Sequence, residues 1–97
     1  MIITHIFCQF SEIQLNQALR CLQLVRDKAL ATDSCRSYQV HNTPDQKGAV
    51  FICQSWSDLA AFDAYRASDL FASMIGEVKP MMSAPPRTEI FKATLIP

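Results

Sequence analysis

Few side chains in this sequence are equipped for chemistry, and they stand apart. The two histidines, His5 and His41, are separated by a predicted helix, and no Ser-His-Asp order, Gly-rich phosphate loop or metal-spaced carboxylate cluster accompanies them. Hydrolase, kinase and metalloenzyme readings therefore lose support. His5 is the best placed general base, because a neutral strand imidazole titrates near working pH and can take a phenolic proton. A histidine hydrogen-bonded at a subunit interface is the competing reading, and His41, beside a Pro-containing loop, reads as solvent-facing. Tyr65 could donate a hydrogen bond to a substrate oxygen or keep its hydroxyl in water. Tyr38 either aims its hydroxyl into a cavity or packs at a subunit contact, and Trp56 is either an aromatic wall for a flat substrate or a core plug. Phe62, Leu70, Phe71, Met74, Ile75 and Val78 form a core stripe that could also wall an adaptable apolar pocket, with Met81 and Met82 at its rim. The cysteines, Cys8, Cys21, Cys35 and Cys53, include no C-x-x-C pair, so they read as reduced core residues with no bound metal.

The elements that must hold these residues follow from periodicity. Residues 2–10 alternate, with Ile2, Ile6, Cys8 and Phe10 on one face and Ile3, His5, Phe7 and Gln9 on the other. Ser11 and Gln14 have capping-box spacing before an amphipathic run, which predicts a helix over 12–31. Period two returns over 35–42, the polar stretch 43–48 reads as a hairpin loop, and 49–56 is a third strand. Ser57 and Asp58 announce a short helix ending near Ser68; Ser68 can cap another, which Pro80 stops. Ala84-Pro85-Pro86 then feeds a last strand over 87–95. The predicted order, β-α-β-β-α-α-β, is the ferredoxin-like α+β arrangement, one antiparallel sheet with helices on one face.

Composition narrows the function. Ninety-seven residues suit one domain, 1–97, and 49% hydrophobic with 19% charged residues is far from a disordered composition. Nine basic residues balance nine acidic ones, so nothing favours a phosphate backbone and no nucleic-acid partner is expected. No apolar run approaches a membrane span and no cleavable leader is visible, which makes the cytoplasm the default expectation. So small a domain cannot hide all that apolar surface, which favours a homodimer through the bare sheet face, where Ile3 and Phe7 lie, or a large pocket.

The order and spacing of several short motifs resemble the antibiotic biosynthesis monooxygenase family over nearly the whole chain. They are Cys35-Arg36-Ser37-Tyr38 at a strand start, Trp56 closing the third strand, Ser68 and Phe71 on the following helix, and Ala84-Pro85-Pro86 before the last strand. The resemblance implies a dimeric α+β barrel with its pocket between helices and sheet, the face opposite His5. It implies cofactor-independent oxidation of a quinol or polyphenolic aromatic by dioxygen. Tyr65 and His5 are then the catalytic candidates, and Tyr38, Trp56, Phe62, Phe71 and Met74 the substrate-binding ones. The sequence departs from the pattern where a Glu is common (Gln54), where a His is common (Tyr65), and where a haem-degrading branch has its iron ligand (Ile75), so axial iron ligation is not expected. An autoinducer-2-processing branch, an isomerase-type alternative, looks similar near the terminal Leu95-Ile96-Pro97. The missing Glu and His also leave room for a non-catalytic dimeric small-ligand-binding module.

Overall fold

The computed structural model describes all 97 residues. The elements run β1 (Ile2–Phe10), α1 (Leu15–Leu30), β2 (Cys35–Asn42), β3 (Ala49–Trp56), α2 (Leu59–Arg66), α3 (Asp69–Val78), a 3₁₀ turn (Lys79–Met81) and β4 (Met82–Lys92). The strands form one antiparallel sheet in the order β2-β3-β1-β4. Its even-numbered β1 face, including Ile2, Thr4, Cys8 and Phe10, is buried under the helices. No helix is long and apolar enough to cross a membrane.

The predicted order holds, and the boundaries move for local reasons. The Ser11 hydroxyl donates to Gln14 Oε1 at 3.1 Å and the Gln14 N–H to the Ser11 carbonyl at 3.1 Å. That closed pair makes a turn of its own instead of a capping box, so α1 starts at Leu15, without a side-chain cap, and not at Glu12. Asp58, not Ser57, caps α2, accepting from the Ala61 N–H at 2.8 Å. Ser68 does cap α3, accepting from the Phe71 N–H at 3.2 Å.

The last strand begins at Met82, five residues earlier than its Pro-Pro sequence suggests, and ends at Lys92, short of Leu95. β4 is an edge strand, and an edge tolerates Pro85 and Pro86 because half of its backbone donors face away from the sheet. It pairs with β1 through two register shifts near Gln9 as far as Ile2 and Lys92, and just beyond them Met1 and Ala93 exchange backbone hydrogen bonds of 2.8 and 2.9 Å. In the hairpin loop Gly48 holds φ +80°, and any Cβ there would run into the Phe10 carbonyl. The turn needs glycine on both counts. It is tied to the sheet by Gln9 Nε2 donating to the Lys47 carbonyl at 2.7 Å.

Candidate functional site

Alternation along the strands and a 3.6-residue period along the helices aim side chains from six elements into the space between the layers. There they leave a cavity of about 390 Å³. β1 supplies Thr4, Ile6 and Cys8 to its floor, β3 supplies Ile52 and Gln54, and β4 closes one side with Pro86, Thr88 and Ile90. The roof is Phe62, Tyr65 and Arg66 of α2 with Phe71, Met74, Ile75 and Val78 of α3, and Phe10 of β1, Leu22 of α1 and Met82 of β4 complete the lining. Thirteen of the eighteen lining residues are hydrophobic, and none is Asp, Glu or His.

The candidate residues are sorted by this geometry. Tyr65, Phe62, Phe71 and Met74 line the cavity together. Trp56 and Tyr38 do not. Trp56 lies behind the lining, stacked on the Tyr65 ring with centroids 4.7 Å apart, while its indole N–H donates to Gln54 Oε1 at 3.0 Å. It thus acts as the core plug its position allowed, holding Tyr65 and Gln54 in place. Tyr38, 2% exposed, reaches Tyr65 with its hydroxyl, oxygen to oxygen 3.0 Å, either group able to donate. Met82 reaches the cavity, whereas Met81 is buried next to it without lining it.

His5 is on the other side of the sheet. Its ring lies edge-on to Phe51 and Phe91, each at 5.3 Å between centroids, among the odd-numbered β1 residues. The sheet separates it from the cavity, which it does not line. His41 sits on the same face, exposed and bonded through Nε2 to Gln39 Oε1 at 3.0 Å.

Burial decides what the titratable groups in and behind the lining can do. Desolvation raises both the Tyr38 and the Tyr65 hydroxyls above the ordinary phenol value, so near neutrality they are proton-bearing donors and not bases. Burial likewise pushes the Cys8 thiol up to about 11, which removes it as a nucleophile. Arg66 is the one charged residue of the lining. Its side chain is 44% exposed, bonded to Asp63 at 2.6 Å and set 4.4 Å over the Phe62 ring, which places the cation at the mouth.

Sequence reasoning passed over Thr4 and saw Gln54 only as a missing Glu. Both are 1% exposed and both line the cavity. The signal was available: Thr4 is the one hydroxyl in the otherwise apolar stripe Ile2, Ile6, Cys8, Phe10.

A sequence model of the antibiotic biosynthesis monooxygenase family matches residues 1–76, the segment that carries β1 to α3 and most of the cavity lining. The chain belongs to that family. Monooxygenase chemistry is accordingly the coarse class of its function. Among solved structures it is similar to a Caulobacter crescentus protein provisionally assigned to the antibiotic biosynthesis monooxygenases. That pair has a TM-score of 0.92 at 16% identity, covering 97% of this chain and 90% of the other. A Deinococcus radiodurans protein with the same provisional assignment superposes with a TM-score of 0.91 at 20% identity, covering 99% and 95%. At such identities these likenesses speak for the fold. No curated protein sequence matches the chain significantly.

The cavity floor carries the Thr4 hydroxyl and the Gln54 carboxamide, and the lining contains no carboxylate or imidazole. Ile75, at the position where the haem-degrading branch is expected to carry its iron ligand, lines the cavity with an alkyl group that cannot coordinate a metal.

Proposed function

We propose that this protein is a monooxygenase that oxidises an electron-rich phenol or quinol with dioxygen, without flavin, haem or metal, as a homodimer. The observation that carries the reading is the apolar cavity of about 390 Å³, open at its mouth, lined by proton-bearing donors and by no carboxylate or imidazole. Its volume lies at the lower end of small-ligand sites, enough for a compact ring system.

The reaction needs little from the protein. A benzene-diol gains one atom of dioxygen as a new carbonyl oxygen and becomes a hydroxyquinone. It gives up two hydrogens in exchange, and these leave with the second oxygen atom as one molecule of water. The substrate is the reductant, so no added electron donor is required. Removing a phenolic proton makes the ring electron-rich enough to react. With no carboxylate or imidazole in the lining, that proton goes to water at the mouth, beside the Arg66 cation. The Tyr65 hydroxyl then stabilises the ionised oxygen, worth more in a dry cavity than in solvent. When Tyr38 donates to Tyr65, the Tyr65 proton is free for the substrate, which gives Tyr38 a positioning role.

The homodimer reading rests on the open sheet face. Phe7 and Phe51 lie 5.0 Å apart between centroids, His5 and Phe91 extend the row, and the Arg87 guanidinium covers the Phe7 ring at 4.2 Å. A second copy applied to the same face would bury this patch on both subunits.

The test is oxygen uptake by metal-stripped, colourless protein over a panel of quinols, with isotopically labelled dioxygen. The expected outcome is one labelled oxygen per product molecule at a rate above autoxidation. Uptake no faster than autoxidation across the panel removes the oxygenase reading. Saturable, stabilising binding of the same quinols without turnover would then identify a binding module.

A further inference from the structure

The Thr4 hydroxyl is fully buried and has no hydrogen-bond partner in the protein. An unpaired buried hydroxyl costs stability that a valine of the same shape would not. Directly opposite it in the β1–β3 register stands Gln54, on the same face of the sheet, with Cβ atoms typically about 5 Å apart in such pairs. The orientation of that carboxamide is fixed by chemistry. Trp56 Nε1 can only donate, so the atom 3.0 Å from it must be the Gln54 oxygen, and the amide's two N–H donors are left to the cavity side. β1 and β3 therefore present, side by side on an apolar floor, a rotatable hydroxyl and an amide donor with no protein group to satisfy them.

We infer that Thr4 and Gln54 form a subsite for a neutral oxygen of the ligand, the hydroxyl or carbonyl of a dioxygenated aromatic such as a quinol and its quinone. This deepens the proposed quinol chemistry and rests on it for the class of ligand. A cation is absent from this floor, Arg66 being the one charged lining residue and lying at the mouth, so the oxygen seated here is uncharged. The pair suits both oxidation levels. A ligand hydroxyl can accept from Gln54 Nε2 and donate to Thr4 Oγ1, and after oxidation the Thr4 hydroxyl rotates to donate, with Gln54, to the carbonyl. The second ligand oxygen remains for Tyr65.

The test compares 1,4-dihydroxynaphthalene with 1-naphthol, which lacks one oxygen, under anaerobic conditions where no turnover occurs. Trp56, the only tryptophan, reports binding by fluorescence through its bond to Gln54. Wild-type protein should prefer the dihydroxy compound about tenfold, the scale of one buried neutral hydrogen bond. Thr4→Val should abolish the preference while leaving 1-naphthol affinity unchanged, Thr4→Ser should restore it, and unliganded Thr4→Val should melt no lower than wild type. An unchanged preference in Thr4→Val, no preference in wild type, no binding of either compound, or a lower melting temperature for Thr4→Val each overturns the subsite. Oxygen uptake separates the two ideas. A Thr4-dependent preference without uptake keeps the subsite and removes the oxygenase, whereas uptake with a Thr4-independent preference does the reverse.

Discussion

The two faces of the sheet are written in alternate residues of the same strands, yet they solve opposite problems. On the helix side of β1 and β3, Thr4, Cys8, Ile52 and Gln54 are buried around a cavity, and the polar members are short of partners. On the far side, His5, Phe7 and Phe51 form an aromatic row that is only half-buried, and Arg87 already lies over its end. The covered face has apolar walls with unmet hydrogen-bonding capacity, which suits a small ligand. The bare face has unmet hydrophobic capacity, which suits a large partner. A one-residue slip of β1 would exchange the two, so register is what keeps ligand and partner apart.

The strongest way to break this contrast is to charge the bare face. Phe7→Asp should weaken self-association by at least about a thousandfold, because a carboxylate would be buried at the centre of an apolar contact. Sedimentation at micromolar concentration checks it. A wild-type chain that sediments as a folded monomer would leave the aromatic row without its proposed cover.

The cavity side should answer to different substitutions. Tyr65→Phe should lower turnover by about one to two orders of magnitude, the cost of a positioned donor, and should also lower stability by about 1–3 kcal/mol, because it leaves the buried Tyr38 hydroxyl without its partner. Tyr38→Phe should cost less, roughly threefold to tenfold in kcat with KM nearly unchanged, because it acts only through Tyr65. His5→Gln, across the sheet, should leave kcat/KM within about twofold when assayed on intact dimer. A loss at His5 as large as at Tyr65 would mean that the two faces are functionally joined and would return His5 to the role of base.

How much of this was legible in the sequence depended on whether the signal was periodic. The alternation of β1, the stripes of α1 and α3 and the cap at Ser68 are local patterns, and the element order follows from them. Boundaries failed where a fact that spacing does not carry overruled the pattern, tertiary at β4 and local at Ser11. Pro85 and Pro86 read as a strand entry because nothing in the sequence marks β4 as an edge, and Ser11 read as a cap because its closed turn with Gln14 is invisible from spacing. The stripe that put Phe62, Phe71 and Met74 on one side does bring them to the cavity, and the alternation had already set His5 opposite the helices. Trp56 and Tyr38 were expected to face a pocket and stand behind the cavity lining, because sequence separates a wall from the support behind it no better than it separates two buried aromatics. Thr4 was missed because a single threonine in a strand is ordinary until its hydroxyl is seen to lack a partner.

The smallest expected effect concerns pH and again distinguishes the buried face. Cys8, 6% exposed, has its thiol raised from 9.0 to about 11 by burial, so the folded protein holds that proton more tightly than the unfolded chain does. Its contribution to stability is therefore complete below pH 9, declines as pH rises from there, and is gone above about 11. At pH 10 the loss is on the order of 1 kcal/mol, a drop of roughly 4–8 °C in Tm for a domain of this size. The buried Tyr38 and Tyr65 hydroxyls, raised in the same direction, steepen the fall at still higher pH. Cys8→Ala, which opens a small void but removes the titrating group, should lower Tm at pH 8 and lose less on going to pH 10 than wild type does. Melting curves at matched ionic strength from pH 8 to 11 measure this. Parallel pH profiles for the two proteins would show that the Cys8 thiol meets water in the folded state, and that the cavity floor is wetter than its lining implies.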